Sequence, residues 1–424
     1  MATQVQFRRG TTAQNSSFTG AIGEVTVDTD KDTLIVHDGG TVGGFDLVNV
    51  STAQTLSNKT FSDDTTINGL TVGKGTNSVA TNTALGVSAL TANTTGYELT
   101  AVGLEAMYSN TTGFRNVAVG HKALYSNTSA SYNTAVGRYS LYTNTTGASN
   151  TAVGYASLTY NTTGTNLVAL GRDALTNNTT ASNNVAVGNS AMQENTTGSG
   201  NVAVGTIAFQ YSTTASNCTA LGAFSLVDNT VGNSNTAVGS QSMGNNTTGA
   251  SNTALGYQSL FDNTTGSSNI AIGNQALANN IISSNNVAIG SGALLNNTAA
   301  AETAVGHNSL LNNTTGVSNT ALGYLSAYTG TTGGYNTAIG DRALYFNNGA
   351  NNTAVGFQSL YNNTSNHNQA FGFQSLLSNT TGSYNNVFGY AAMYFNTTGS
   401  NNTALGSEAL KSNTTASNNT AVGY

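Results

Sequence analysis

A glycine that returns every seventeen residues constrains this 424-residue chain more than any other feature. It stands at Gly86, Gly103, Gly120, Gly137 and onward to Gly423. These 21 glycines bound 20 intervals, of which 17 are seventeen residues long. The other three, ending at Gly306, Gly356 and Gly372, are sixteen. A fixed period over most of a chain means stacked supersecondary units. One unit, residues 133–149, reads Asn-Thr-Ala-Val-Gly-Arg-Tyr-Ser-Leu-Tyr-Thr-Asn-Thr-Thr-Gly-Ala-Ser.

Slots counted from the glycine show where side chains are constrained. Slot −1 is always apolar (Val136, Leu170, Ile272, Phe388), and slot −2 is Ala in every copy except Val387. Slot +3 is Ala or Ser, as in Ala123 and Ser140. Slot +4 is Leu, Met, Phe or Ala (Leu141, Met192, Phe209, Ala327). Slot +7 is Asn in 18 of 20 copies, Ser212 and Gly330 being the exceptions. Slots +1, +2 and +5 vary freely, which marks them as solvent-facing: Arg138, Tyr155, Glu105, Lys122.

Seventeen residues cannot hold two helices and a turn, and Asn, Thr and Gly are poor helix formers. The alternating Thr-Ala-Val-Gly stretch reads as a short strand. A second short strand is expected at Ser140-Leu141, and Asn-Thr-Thr-Gly supplies the turn. Each unit is then one coil that pairs with its neighbours through parallel ladders, with the recurrent Asn forming a ladder of side-chain amides. At about 4.8 Å per coil the stack is roughly 100 Å long. The fold class is all-β: a small N-terminal β domain, a connector, and a long parallel β-roll or solenoid of about 21 coils. The first strand is apolar on both faces, Thr134 with Val136 and Ala135 with Gly137. A single coil has one interior, so the second face needs a partner. The invariant small Ala suits close approach, and the expectation is a parallel homotrimer; the alternative is a monomeric solenoid with both faces internal.

The recurring Asn-Thr-Ala-Val-Gly and Asn-Val-Ala-Val-Gly (residues 116–120 and 184–188) resemble the head repeats of trimeric autotransporter adhesins. That resemblance implies a left-handed parallel β-roll assembled from three chains. Similar repeats occur in bacteriophage tail fibres.

Residues 1–50 lie outside the repeat. Glu24-Val25-Thr26-Val27-Asp28 and Thr33-Leu34-Ile35-Val36-His37 alternate around Thr29-Asp30-Lys31-Asp32, which predicts a hairpin. Several segments in this region resemble the N-terminal domain of the phage major tropism determinant family. They are residues 6–14 (Gln-Phe-Arg-Arg-Gly-Thr-Thr-Ala-Gln), 18–21, 26–31, 36–39 and 43–45. The resemblance covers residues 4–47 and implies a small trimeric β domain at the virion-attached end. Phe7, Arg8, Arg9, Asp28, Asp30 and Lys31 are its candidate virion-anchoring residues, and residues 1–75 would meet other virion tail proteins. That family's receptor-binding domain has no counterpart here, so its receptor residues do not carry over. Residues 51–76 read as an extended connector or stalk, in which residues 53–60 resemble a segment common in phage structural proteins. Residues 77–424 are the repeat rod.

Aromatics crowd the later coils: Phe357, Tyr361, Phe371, Phe373, Tyr384, Phe388, Tyr390, Tyr394 and Phe395. They read either as distal core packing or as an aromatic surface for glycans. On the second reading Phe373, Tyr384, Tyr390 and Tyr394 are candidate receptor contacts, for a host-surface glycan or protein receptor at the distal end. A parallel stack stopping at Tyr424 leaves an open edge, so a continuation or a covering chain is expected there.

Charged residues are 7% of the chain and the formal charge is −6, which offers no basic field for nucleic acid. No apolar run reaches 18 residues, so no membrane insertion is expected. The first residues do not read as a signal peptide. The expected location is the virion, after assembly in the host cytoplasm. Asn-x-Thr triplets read as turn chemistry. The lone Cys218 occupies a slot usually held by Asn and reads as a small buried residue.

Catalysis needs converging groups. His121 and His307 share a slot eleven coils apart, His37 lies in the hairpin and His367 in a turn. The repeat acids are Glu98, Glu105, Asp173, Glu194, Asp228, Asp262, Glu302, Asp341 and Glu408, and no slot carries acids in consecutive coils. No catalytic, cofactor-binding or metal-binding residue and no cofactor is expected, and the chain does not read as an enzyme. The expected function is a phage tail fibre, a structural and receptor-recognition protein for adsorption. The alternatives are a polysaccharide-degrading tailspike, which needs a carboxylate pair, a bacterial surface adhesin, and an ice-binding solenoid, which wants flat Thr-x-Thr arrays.

Overall fold

The computed structural model of the chain describes residues 8–30, 33–37, 39–40, 42, 45–46, 64–67 and 70–424. The chain forms two compact units, Met1–Ser62 and Asp63–Tyr424.

In the first unit β1 (Arg8–Gly10), β2 (Val25–Asp28), β3 (Thr33–Val36) and β4 (Phe45–Asp46) lie in that order in one sheet. β1 runs parallel to β2, and the rest is antiparallel. The expected hairpin is β2–β3, with Val25 opposite Val36. Helix α1 (Thr12–Asn15) was not anticipated. Its signal is a capping box: the Thr11 hydroxyl accepts from the Gln14 N–H, and the Gln14 side chain accepts from the Thr11 N–H. Among the described residues of this unit the buried side chains are mostly polar: Asn15, Thr26, Asp28 and His37 around Ile35. Each bonds within the domain, Asn15 to the Gly10 carbonyl and Asp28 to Thr12. The Gly20 N–H donates to His37 Nδ1 (3.3 Å), so the ring proton sits on Nε2 and donates to Thr26 Oγ1 (3.1 Å).

In the second unit β5 (Thr65–Ile67) and β6 (Leu70–Gly73) form an antiparallel hairpin, and β6 pairs antiparallel with β7 (Thr83–Leu85). Both hairpin strands lie within the span expected as a connector. β5 and β6 cover the first edge of the ladder, and Asp64 fastens them by accepting from the Lys74 and Gly75 N–H groups (2.7 and 3.0 Å). An exposed edge is an aggregation liability, which explains the cover. Residues 51–63 lie outside the described residues. From β7 to β27 (Thr420–Val422), 21 three-residue strands pair in parallel, each coil one step along. Identical slots align, as in Thr134–Thr151, Ala135–Ala152 and Val136–Val153. Among the described residues the ladder does not close on itself, since β5 pairs with β6 alone and β27 with β26 alone.

The expected second strand is absent. Slots +2 and +4 adopt left-handed backbone conformations in coil after coil, for example Tyr139 (φ 61°) and Leu141 (φ 49°). The reason lies in hydrogen bonding. The Tyr139 N–H donates back to His121 O (3.1 Å), while the Leu141 N–H donates forward to Ser157 O (3.0 Å). Flipping alternate peptides lets a tight turn bond to both neighbouring coils. A left-handed conformation costs a leucine roughly 1–2 kcal/mol, and burying its side chain contributes about 1.5–3 kcal/mol, so burial wins. Gly137 is required twice over. Its φ is +132°, and a Cβ there would run into the Gly154 carbonyl of the next coil.

Inside each coil lie the slot −2 Ala, the slot +3 Ala or Ser, the slot +4 Leu and two Asn columns. The invariant Ala is therefore spent on the interior, which corrects its expected role in oligomer contact. What faces outward is the Thr/Val side of the strand. The slot +7 Asn amides form the expected ladder: Asn161 Nδ2 donates to Asn144 Oδ1 (2.7 Å) and to Gly164 O (3.1 Å). The slot −4 Asn column works differently. The Asn150 N–H donates to Asn133 Oδ1 (2.9 Å), and Asn133 Nδ2 donates to Gly147 O (3.0 Å). Cys218 is buried in that column; its N–H donates to Asn201 Oδ1 and its thiol to Gly232 O (3.3 Å). Burial pushes its pKa up.

Glu302 occupies the same column at the first sixteen-residue step and is fully buried. Its Oε2 accepts from the Asn319 N–H (3.0 Å), while Oε1 has no hydrogen-bond partner. Desolvation outweighs that bond and pushes the carboxyl up to about 8 from its ordinary 4.5. The folded state then holds a proton that the unfolded chain releases, so stability is lost as pH rises from about 4.5 through about 8. Glu302→Gln is expected to abolish this loss and to raise the melting temperature at alkaline pH. Melting curves on either side of that window check it, and equal slopes in both proteins would overturn it.

Coils touch only their neighbours, so damage should stay local. Leu158→Ala is expected to cost about 2–5 kcal/mol and to lower amide-exchange protection in the adjoining coils far more than around β26 (Thr403–Leu405). A uniform fall along the stack would contradict nearest-neighbour coupling.

Candidate functional site

The proposed anchoring residues sit around β1 and the β2–β3 turn. Arg8 is exposed, with Cζ 3.8 Å from the centre of the Phe18 ring, and Arg9 is exposed beside it. Asp30 is exposed, and its Oδ2 accepts from the Thr12 N–H (2.9 Å). Asp28 is buried and works inside the domain, where Oδ1 accepts from Thr12 Oγ1 and from the Asp30 N–H (both 3.0 Å). Phe7 and Lys31 lie outside the described residues.

On the rod, the free slots become columns. Side chains one turn apart meet at about the inter-strand spacing, close to the stacking distance of aromatic rings. The late aromatics are therefore surface columns, which corrects the core-packing expectation; the interior there is Ala, Leu, Ser and Met. Phe357, Phe373 and Tyr390 stack in slot +1 (5.2 and 5.3 Å between ring centres). Phe371 and Phe388 stack in slot −1 (4.7 Å). Of the four candidate receptor contacts, Phe373 and Tyr390 meet. Tyr384 stacks instead on His367 (4.7 Å) in slot −5, and Tyr394 packs edge-on against Phe395 in slots +5 and +6. Phe373, Tyr384 and Tyr390 are about half exposed.

Sequence reasoning missed a second aromatic region in the early coils. Tyr108, Tyr125 and Tyr142 stack in slot +5 (5.2 Å at each step). Tyr97 stacks on Phe114 (5.0 Å), which meets Tyr132 edge-on. Cations border these rings: Arg115 donates to Glu98 Oε2 (2.7 Å) and to the Tyr132 hydroxyl (3.1 Å), Lys122 lies over Tyr125, and Arg138 lies over Tyr139. Tyrosine at a seventeen-residue interval was the available signal, and counting slot +5 as free concealed it. Elsewhere Ile281 and Ile282 replace the usual Thr pair of the turn, beside the first shortened coil, and remain exposed.

The described residues contain no cluster of three or more His, Cys, Asp or Glu placed to hold a metal ion, and no helix long and apolar enough to cross a membrane. The arrangement presents flat aromatic and aliphatic columns on a rigid support, which suits adhesion.

Comparison with known proteins supports a phage origin for the N-terminal region. Residues 5–41 match the family described as Major tropism determinant N-terminal domain. Over 47 residues the chain is 68% identical to a "Tail fiber receptor-binding protein" of Bordetella phage BPP-1. That match covers 11% of this chain and spans 12% of the relative's length, so it speaks for the N-terminal domain and leaves the rod to its own geometry.

Proposed function

We propose that the chain is a phage tail fibre, a virion structural protein that mediates adsorption to the host surface. The observation that carries this reading is the N-terminal match to a tail fibre receptor-binding protein, in a chain that goes on into a stack of 21 coils. In this reading residues 1–50 anchor the fibre to other tail proteins, residues 51–76 connect, and residues 77–424 form the rod. Exposed Arg8, Arg9 and Asp30, together with Phe7 and Lys31, make the anchoring surface, and Asp28 holds its turn. Phe373, Tyr384, Tyr390 and Tyr394 contact a glycan or protein receptor on the host. The chemistry is non-covalent: the rod holds its contacts away from the particle.

The fibre is a parallel homotrimer in this proposal, which multiplies weak contacts by avidity. Support comes from the outward strand face. Slot −1 leaves Val153, Leu221, Leu255, Ile289, Leu322 and Leu405 exposed by 37–48%. Threonine and aliphatic side chains of slot −3 flank them. Such a strip, repeated along the rod, is the kind of contiguous apolar surface that marks an interface. Three rods packed through these strips would cover them.

Light scattering on the full chain is expected to give three times 43.0 kDa. Leu255→Lys with Leu322→Lys should drive the mass to that of one chain while the β-sheet circular dichroism persists. A monomeric parent protein would overturn the trimer. Immunogold labelling with antibody to the rod should decorate the tail of the encoding phage, and label elsewhere would overturn the fibre assignment.

A further inference from the structure

In the early coils slot +5 carries tyrosine three times in succession, and the run ends at Tyr142. Tyr108 stacks on Tyr125 with ring planes 8° apart, and Tyr125 on Tyr142 with planes 23° apart. The next coil places Thr159 in the slot. One face of Tyr142 is covered by Tyr125, and the other looks toward a side chain too short to cover it. The step leaves a pocket of about 250 Å³ lined by Lys122, Tyr139, Tyr142, Thr159 and Tyr160.

The walls of this pocket are held from outside. Tyr139 meets Tyr142 edge-on at 5.5 Å, and its hydroxyl accepts from Arg138 Nη2 (3.2 Å). Thr159 Oγ1 donates to Ala156 O (2.8 Å). Lys122 Nζ lies 3.4 Å from Glu105 Oε2 and 5.3 Å from the Tyr125 ring centre. All five residues stand on coils locked by the ladder, so little order has to be gained on binding. Tyr160 projects 53% exposed at the rim. Stabilising the coils explains the stack itself, since each aromatic pair contributes about 0.5–1.5 kcal/mol. It does not explain an open ring face closed in by a second and a third phenol and an ammonium.

We propose that this step is a carbohydrate-binding pocket that takes one pyranose ring. A pyranose has one face of C–H groups and a rim of hydroxyls. The C–H face fits against the open face of Tyr142. The rim meets donors and acceptors at the Tyr139 and Tyr160 hydroxyls and a donor at Lys122. Small-molecule pockets combine such an apolar floor with a few placed polar groups. The volume lies just below the usual range of about 300–1,000 Å³ for drug-sized ligands, which suits a single ring. The slots involved, +2, +5 and +6, differ from slots −1 and −3 of the outward strand face. The pocket rests neither on the trimer nor on the distal aromatics.

Saturation-transfer-difference NMR with glucose, galactose, mannose and N-acetylglucosamine, each added to the full chain, tests it. At least one sugar is expected to show transfer strongest at its C–H face. Tyr142→Ala and Tyr160→Ala should each weaken that sugar at least tenfold, and Tyr257→Ala, far along the rod, should not. Tyr142→Ala also removes a stack, so Thr159→Tyr separates binding from folding. It extends the column, fills the pocket, and is expected to abolish binding with a melting temperature equal to or above that of the parent. Absence of transfer from all four sugars, or binding retained in Thr159→Tyr, overturns the proposal.

Discussion

Everything in the rod depends on the two buried asparagine columns. A coil of seventeen residues has a three-residue strand and fourteen residues of turn, and most turn groups point inward or along the stack. Buried backbone groups without partners would each cost about 1–3 kcal/mol. Asparagine solves this because its side chain repeats the chemistry of a peptide. In slot +7 the amides bond to one another from coil to coil, as Asn161 does to Asn144, and tie the turn carbonyl of Gly164. In slot −4 the side chain closes the gap between one coil's backbone and the next, as Asn133 does for Asn150 and Gly147. The apolar interior is thin, a column of leucines flanked by Ala and Ser, and could not by itself offset so much irregular backbone.

That solution has consequences for the surface. Once the interior is fixed by Ala, Leu and Asn, slots +1, +2 and +5 are free of the core, and any residue placed there is displayed at a regular spacing from coil to coil. Aromatics in successive coils therefore stack without further design, in the early columns around Tyr125 and the late ones around Phe373. Departures from the repeat stand out for the same reason. Glu302 in an asparagine column is a buried acid held protonated by desolvation, and Thr159 after three tyrosines ends their stack in a step. A regular scaffold makes each irregularity a local feature with local energetics.

The two units divide the physical work differently. In the N-terminal sheet the described residues are tied by internal polar pairs, His37 with Thr26 and Gly20, Asp28 with Thr12. It is also the part that resembles a known tail fibre protein. The rod buries its asparagines by repetition beside a thin column of Ala and Leu, and displays aromatic and aliphatic side chains on its surface.

Period, coil number, strand position and the existence of an asparagine ladder were legible in the chain alone, because identical slots must align when identical units stack. The β2–β3 hairpin was legible from alternation. Three matters needed the folded structure. The segment at Ser140 and Leu141 looked like a strand by composition, yet its peptides flip to reach both neighbouring coils, a choice made by hydrogen bonds between coils that no single unit contains. The direction in which the strand faces, Ala inward and Thr/Val outward, depends on which side the turns close, and alternation by itself is symmetric. Finally, whether an aromatic lies in the core or on the surface is decided by the width of the coil. The interior has room for one leucine per turn, so the sequence determined how often an aromatic recurs, and only the tertiary structure decided that nearly all of them face out.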